Sequence, residues 1–207
     1  MPFRLARRAA LLALAGLAPA LVLAFAATAL RAQSQPGPAG SEPAPASRLS
    51  AHAFSFDAIH GGRIDLGAFA GRPVLVVNTA SRCGFVGQLA GLQDLHERYG
   101  PRGLVVLGVP SNDFRQELAD DAAIAAFCEG TFGVTFPLAA RTRVVGADAH
   151  PFYAWAASAR PGEAPRWNFH KYLVAPDGSI AATFATPTSP TDPRILVAIE
   201  RALREGA

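Results

Sequence analysis

Beyond residue 50 the apolar positions follow two alternating periods, and each change of period marks an element. After His52, Phe54 and Phe56 alternate with other positions and run into a Gly61-Gly62 turn, a strand-like pattern. Pro73 opens Val74-Leu75-Val76-Val77, a continuous apolar run bounded by turn residues, the form taken by a strand buried on both faces. A turn through Ser81-Arg82-Cys83-Gly84 follows. Leu89, Leu92 and Leu95 then recur at helical spacing up to Tyr99, where Gly100-Pro101 stops the helix. Leu104 to Val109 reads as a second buried strand, ended by Pro110. Asp120 or Asp121 can cap a helix carrying Ile124, Phe127 and Cys128, and Phe136-Pro137 closes the next connection. A short helix near Pro151 to Ala159 sets Phe152 and Trp155 at i, i+3. Tyr172 to Val174, Pro176-Asp177-Gly178 and Ile180 to Phe184 predict a hairpin with a tight turn, and a final helix runs from about Pro193 to Arg204. Strands and helices alternate first and a hairpin follows. This order predicts an α/β fold with a central mixed sheet flanked by helices.

Composition changes the picture at the N-terminus. Half of the 207 residues are hydrophobic, 17% are charged and the mean hydropathy is +0.20, an apolar bias that residues 1–32 largely explain. Arg4, Arg7 and Arg8 form a basic head, and no charged residue occurs from Ala9 to Leu30. Small residues around Thr28-Ala29-Leu30-Arg31-Ala32 close the stretch, so its layout is that of an export signal. The apolar run is also long enough to span a bilayer, which leaves an uncleaved single anchor as the alternative. Pro19 interrupts it, and the Arg7-Arg8 pair lacks the Ser and Phe that usually flank a twin-arginine signal. Either way the folded part is expected outside the cytoplasm, in a bacterial periplasm. Residues 33–50 read as a flexible linker, rich in Pro, Gly, Ser and Ala, and residues 51–207 as the single folded domain.

Charge narrows the partners. Residues 1–32 hold four of the 19 Lys and Arg and none of the 16 Asp and Glu, which leaves 15 basic against 16 acidic residues, a net charge of −1. No stripe of Lys and Arg with interleaved aromatics remains, so nucleic acid is not an expected partner. His60, His96, His150 and His170 are scattered without ligand spacing, so neither a metal nor a cofactor is expected and surface or turn roles suit them.

Two cysteines remain, Cys83 and Cys128, 45 residues apart and not in a C-x-x-C pair. In an exported chain the plain reading is a structural disulfide. Cys83, however, lies in a turn between a buried strand and a helix. There a thiolate, the reactive form, can meet free backbone N–H groups, with Arg82 beside it. From position alone the inert and reactive readings are evenly matched.

The neighbouring words decide further. Asn78-Thr79-Ala80-Ser81-Arg82-Cys83-Gly84-Phe85 resembles the peroxidatic segment of the glutathione peroxidase family. Val105 to Phe114 followed by Gln116-Glu117 is similar to a second family segment. So are Phe127-Cys128 with Phe132 to Pro137, and Trp167-Asn168-Phe169 with Lys171 to Val174. All four occur in family order across nearly the whole of residues 54–203.

The resemblance implies a thioredoxin-like fold, hydroperoxide substrates, and a catalytic tetrad of Cys83, Gln116, Trp167 and Asn168. Neutral amides and an indole N–H can hold thiolate and peroxide without adding charge. One residue, Arg115, separates Phe114 from Gln116, where the family usually has two. Cys128 matches the resolving cysteine of two-cysteine members: a Cys83 sulfenic acid would condense with it, and a dithiol would reopen the disulfide. Cys128 would have to move, so local unfolding of residues 120–135 is expected. Only eleven residues separate Trp155 from Trp167, too few for the insertion of tetrameric, glutathione-using members. A monomer recycled by a thioredoxin-like protein is therefore implied, with glutathione disfavoured. The rival readings are a thiol–disulfide exchanger and a non-catalytic thioredoxin-fold module stapled by a Cys83–Cys128 disulfide.

Overall fold

The computed structural model describes residues 49–206. The signal or anchor expected at residues 1–32 and the linker up to residue 48 lie outside the described residues. Among the described residues, no helix is long and apolar enough to cross a membrane.

The predicted strands assemble into one mixed sheet of β3 (Val74–Thr79), β4 (Val105–Pro110), β5 (Lys171–Val174) and β6 (Ile180–Phe184), in the order β4-β3-β5-β6. β3 runs parallel to β4 and antiparallel to β5, and β5 pairs antiparallel with β6. The periodicity explains why β3 and β4 are apolar without interruption. Leu75, Val77, Val106 and Leu173 enter one core, which is closed by α1 (Gln88–Tyr99), α2 (Asp121–Phe132) and α4 (Pro193–Glu205). Val74, Val76, Val105, Leu107 and Tyr172 enter a second core on the opposite face, closed by α3 (Pro151–Ala159) and Phe56. Strands covered on both sides have no polar face to show. Each fully buried Leu, Val or Ile side chain contributes roughly 1.5–3 kcal/mol through its removal from water.

Several features exceed what the pattern predicts. Phe56 lies in β1 (Ser55–Asp57), which pairs antiparallel with β2 (Arg63–Asp65), a strand too short and polar to register as a period. The helix after Cys83 begins only at Gln88, and a run of tight turns fills the gap, with Val86 N–H donating to the Cys83 carbonyl at 2.9 Å. Of the two candidate caps, Asp120 takes the position, its carboxylate accepting from Ala123 N–H at 2.8 Å. Asp121 instead accepts from Arg141 N–H. Gly108 in β4 allows the 136–139 segment to lie against the sheet, because a Cβ there would come within 2.6 Å of Leu138 Cδ2 and 3.1 Å of Phe136.

The surface or turn role expected for the histidines holds at His150, which stands at the entry to α3, and needs correction at His170. His150 caps α3, accepting from Phe152 N–H while its ring stacks on Phe56 at 4.2 Å. His170 is buried beside Tyr172, and burial lowers its pKa to about 4.

Candidate active site

Cys83 and Cys128 are both free thiols and both buried within the α1–α2–α4 core. The stapled reading is not the arrangement adopted. Cys83 sits at the C-terminal end of β3, with 3% of its surface exposed, in the turns that lead to α1. The N–H of Phe85 points at its sulfur, 3.4 Å away. One backbone donor thus faces the atom that carries negative charge in a thiolate.

The 112–118 segment docks on this turn. Arg82 N–H donates to the Gln116 carbonyl at 2.8 Å, and Ser81 N–H to Glu117 Oε1 at 3.0 Å. Arg115, the single residue between Phe114 and Gln116, adopts a left-handed backbone with φ of 60°. This conformation is uncommon outside glycine. Asn168 Nδ2 donates to Gln116 Oε1 at 2.9 Å. With its oxygen turned to Asn168, the Gln116 amide keeps its two Nε2 hydrogens as donors.

Asn168 is fully buried, whereas its neighbour Trp167 remains 41% exposed. The Trp167 ring lies 5.4 Å from that of Phe114. Cys83, Gln116, Trp167 and Asn168, spread over 85 residues, are therefore tied to one another through the 112–118 segment. Phe85, on the Cys83 turn, is similarly half-exposed, so the loops of the site carry apolar surface.

One organising residue escaped the sequence reading. Asn78, the last but one residue of β3 and fully buried, holds the 167–170 loop from every side. Its Nδ2 donates to the Trp167 carbonyl, its Oδ1 accepts from His170 N–H, and its carbonyl accepts from Phe169 N–H. Phe169 has φ of 61°, a second left-handed residue held by these bonds. The sequence marked it as the first residue of the Cys83 segment and as a polar position where an apolar strand ends, without giving it a role. Lys171 is buried too, donating to Gln88 Oε1 at 2.6 Å and to the Phe169 carbonyl at 2.7 Å, and burial lowers its pKa to about 7.

Cys128 faces the core from α2, and its pKa is pushed up to about 12 by burial first, then by the nearby charges of Glu117 and Glu129. While α2 is packed, this sulfur is a thiol and a poor nucleophile.

Residues 51–157 match the family model described as glutathione peroxidase. The chain belongs to the glutathione peroxidase family. It is 40% identical over 151 residues to a hydroperoxy fatty acid reductase of Synechocystis sp., covering 68% of this chain and 89% of that protein. It is also 35% identical over 169 residues to the thioredoxin/glutathione peroxidase BtuE of Escherichia coli, covering 70% and 92%. Among solved structures, the family's fold is matched by Trgpx in apo form, with a TM-score of 0.62, 33% identity, and 75% and 96% of the two chains covered. A thioredoxin family protein of Chlorobium tepidum reaches a TM-score of 0.58 at 16% identity, covering 77% and 99%, which shows that the fold is thioredoxin-like.

Proposed function

We propose that this protein is a thiol peroxidase in which Cys83 reduces hydrogen peroxide and organic hydroperoxides. The observation that supports this reading is the bonded path that joins the turn carrying Cys83 to the segment carrying Gln116, and Gln116 in turn to the Asn168 amide. The Cys83 thiolate attacks one peroxide oxygen, the O–O bond breaks, and the departing alkoxide takes a proton to leave as an alcohol or water. Cys83 becomes a sulfenic acid. Gln116 Nε2, the Asn168 amide and the Trp167 indole supply hydrogen bonds to the oxygen on which charge develops.

Cys128 serves as the resolving residue. Its thiol displaces the sulfenic hydroxyl, forming the Cys83–Cys128 disulfide and releasing water. Its burial and suppressed ionisation mean that α2 must open first. A dithiol protein of the thioredoxin class returns both sulfurs to thiols. The match to a relative named a thioredoxin/glutathione peroxidase supports that reductant. The short stretch between Trp155 and Trp167 supports action as a monomer, which size-exclusion chromatography with light scattering tests. Residues 1–32 support export to the periplasm, either as a cleaved signal or as an anchor. Cell fractionation with N-terminal sequencing separates these two.

The decisive experiment treats the reduced full chain with one equivalent of hydrogen peroxide and follows both thiols by intact mass and peptide mapping. Rapid formation of a Cys83–Cys128 disulfide is expected, with Cys128→Ser stopping at a Cys83 sulfenic acid. Survival of both thiols in excess peroxide overturns the reading.

A further inference from the structure

A buried carboxyl with no cation bonded to it is costly, and a core carries one only where something holds it. Among the described residues Glu117 is such a group, with 7% of its surface exposed. Its Oε1 accepts from Ser81 N–H at 3.0 Å and from Leu118 N–H at 2.8 Å, and its own N–H donates to Asn112 Oδ1 at 3.2 Å. Its Oε2 is buried without a hydrogen-bond partner among the described residues. Burial raises its pKa, while the bonds from Ser81 and Leu118 and the charge of Arg141 pull the other way. Hydrophobic packing alone would be better served by Leu or Met.

The placement of the Ser81 bond explains the acid. Ser81 and Arg82 immediately precede Cys83, and Gln116 and Glu117 are likewise adjacent. One bond joins Arg82 N–H to the Gln116 carbonyl, and the second joins Ser81 N–H to the Glu117 side chain. Two such bonds fix both position and rotation of one segment relative to the other, where one alone would act as a pivot. The segments so joined carry the thiol and the amide that must meet the same peroxide.

We propose that Glu117 is a positioning residue for peroxide reduction: its carboxylate clamps the backbone before Cys83 and so holds the thiol in register with the Gln116 amide. This rests on the peroxidase reading above. The clamp needs an acceptor oxygen at the reach of a Glu side chain and does not need the charge. Glutamine therefore replaces it, whereas Ala and the shorter Asp do not.

The test compares Glu117→Gln, Glu117→Ala and Glu117→Asp in the full reduced chain carrying Cys128→Ser. The second-order rate of Cys83 oxidation by hydrogen peroxide is measured beside the rate of Cys83 alkylation by iodoacetamide, with circular dichroism confirming the fold. Alkylation requires no donor on a leaving oxygen, so it reports access and thiolate content without register. In Glu117→Ala and Glu117→Asp, oxidation is expected to fall by about tenfold or more, the scale of a small misplacement of reacting groups. Alkylation should stay within about threefold, and Glu117→Gln should keep both rates within about threefold of the parent, a change below one net hydrogen bond. Equal loss of both rates marks a merely structural residue and overturns the proposal, as does wild-type oxidation in a folded Ala or Asp variant. Loss in Glu117→Gln equal to that in Glu117→Ala overturns the acceptor role. If Glu117→Ala does not fold, Glu117→Asp and Glu117→Gln decide alone. A parent that leaves peroxide unreacted removes the peroxidase reading itself, an outcome distinct from all of these.

Discussion

Asn168 Nδ2 and Gln116 Oε1 meet at 2.9 Å across 52 residues of chain, a bond that fixes the Gln116 amide with its oxygen toward Asn168. Removing either side chain should therefore lower peroxide reduction by about as much as the loss of one donor. Asn168→Ala and Gln116→Ala are each expected to reduce the rate of Cys83 oxidation by about 10²-fold, the scale of one electrostatic donor at a reacting oxygen. The double variant should be clearly less than additive, because the two amides work as a pair. Stopped-flow oxidation of the four proteins checks this; strict additivity would show that the contact has no functional weight.

Asn78 organises the same loop from beneath. Asn78→Ala leaves the Trp167 carbonyl and the His170 N–H without their partner. The fold should lose about 2–6 kcal/mol, at 1–3 kcal/mol for each of the two groups left unsatisfied. Denaturant unfolding measures it, and a change within 0.5 kcal/mol, roughly that of a neutral surface substitution, would contradict the assignment.

Cys128 should resist reagents for as long as α2 stays packed. In the reduced Cys83→Ser chain near neutral pH, its alkylation is expected to be about 10²-fold slower than in the same chain unfolded in denaturant. Its pKa of about 12, against an ordinary value of 9.0, suppresses the thiolate by at least that factor. Equal rates would mean that α2 does not protect it.

Two buried bases predict how stability changes with pH. The pKa of His170 falls from 6.5 to about 4, because burial opposes its charge, and Lys171 follows from 10.5 to about 7 for the same reason. A depressed folded pKa contributes stability present above the unfolded value and lost as pH falls through the folded one. Stability should thus climb from about pH 4 to 6.5 through His170, and again from about pH 7 through Lys171. Above pH 9 the raised Cys128 thiol opposes the climb, since there the unfolded chain loses its proton first. Lys171→Met should flatten the segment between about pH 7 and 9 in a series of thermal melts. A retained slope would assign it elsewhere.

Gly108 has no room for a side chain. Gly108→Val should destabilise the fold by about 1–3 kcal/mol, the range for overpacking, because Leu138 and Phe136 must retreat from the sheet. Thermal unfolding checks this, and an unchanged midpoint would show that the 136–139 segment yields freely.

Much of the fold was legible because local pattern and final environment agree. Val74 to Val77 and Leu104 to Val109 are apolar on successive residues because both sheet faces are covered, and helix α4 carries Ile195 and Ile199 at the spacing that reaches one core. Strand β2 was not legible: three residues of mixed polarity become a strand only through pairing with β1. The site was legible as words in order, with Cys83, Gln116, Trp167, Asn168 and Cys128 each marked by a neighbouring segment. Asn78 and Glu117 were not marked as functional, since a polar residue in an apolar context does not name its partner.

The sequence by itself determined the types of the main helices and of the strands of the mixed sheet, the two thiols, the separation between them and the family to which the chain belongs. These follow from period, composition and local wording, which are properties of neighbours along the chain. Tertiary structure alone decided that the Gln116 amide meets Asn168, that Glu117 reaches back to Ser81, and that Cys128 is buried with its proton held. Each of those depends on a contact between segments dozens of residues apart. The energy of such a contact comes from desolvation and hydrogen-bond geometry that exist only once the two core layers have closed.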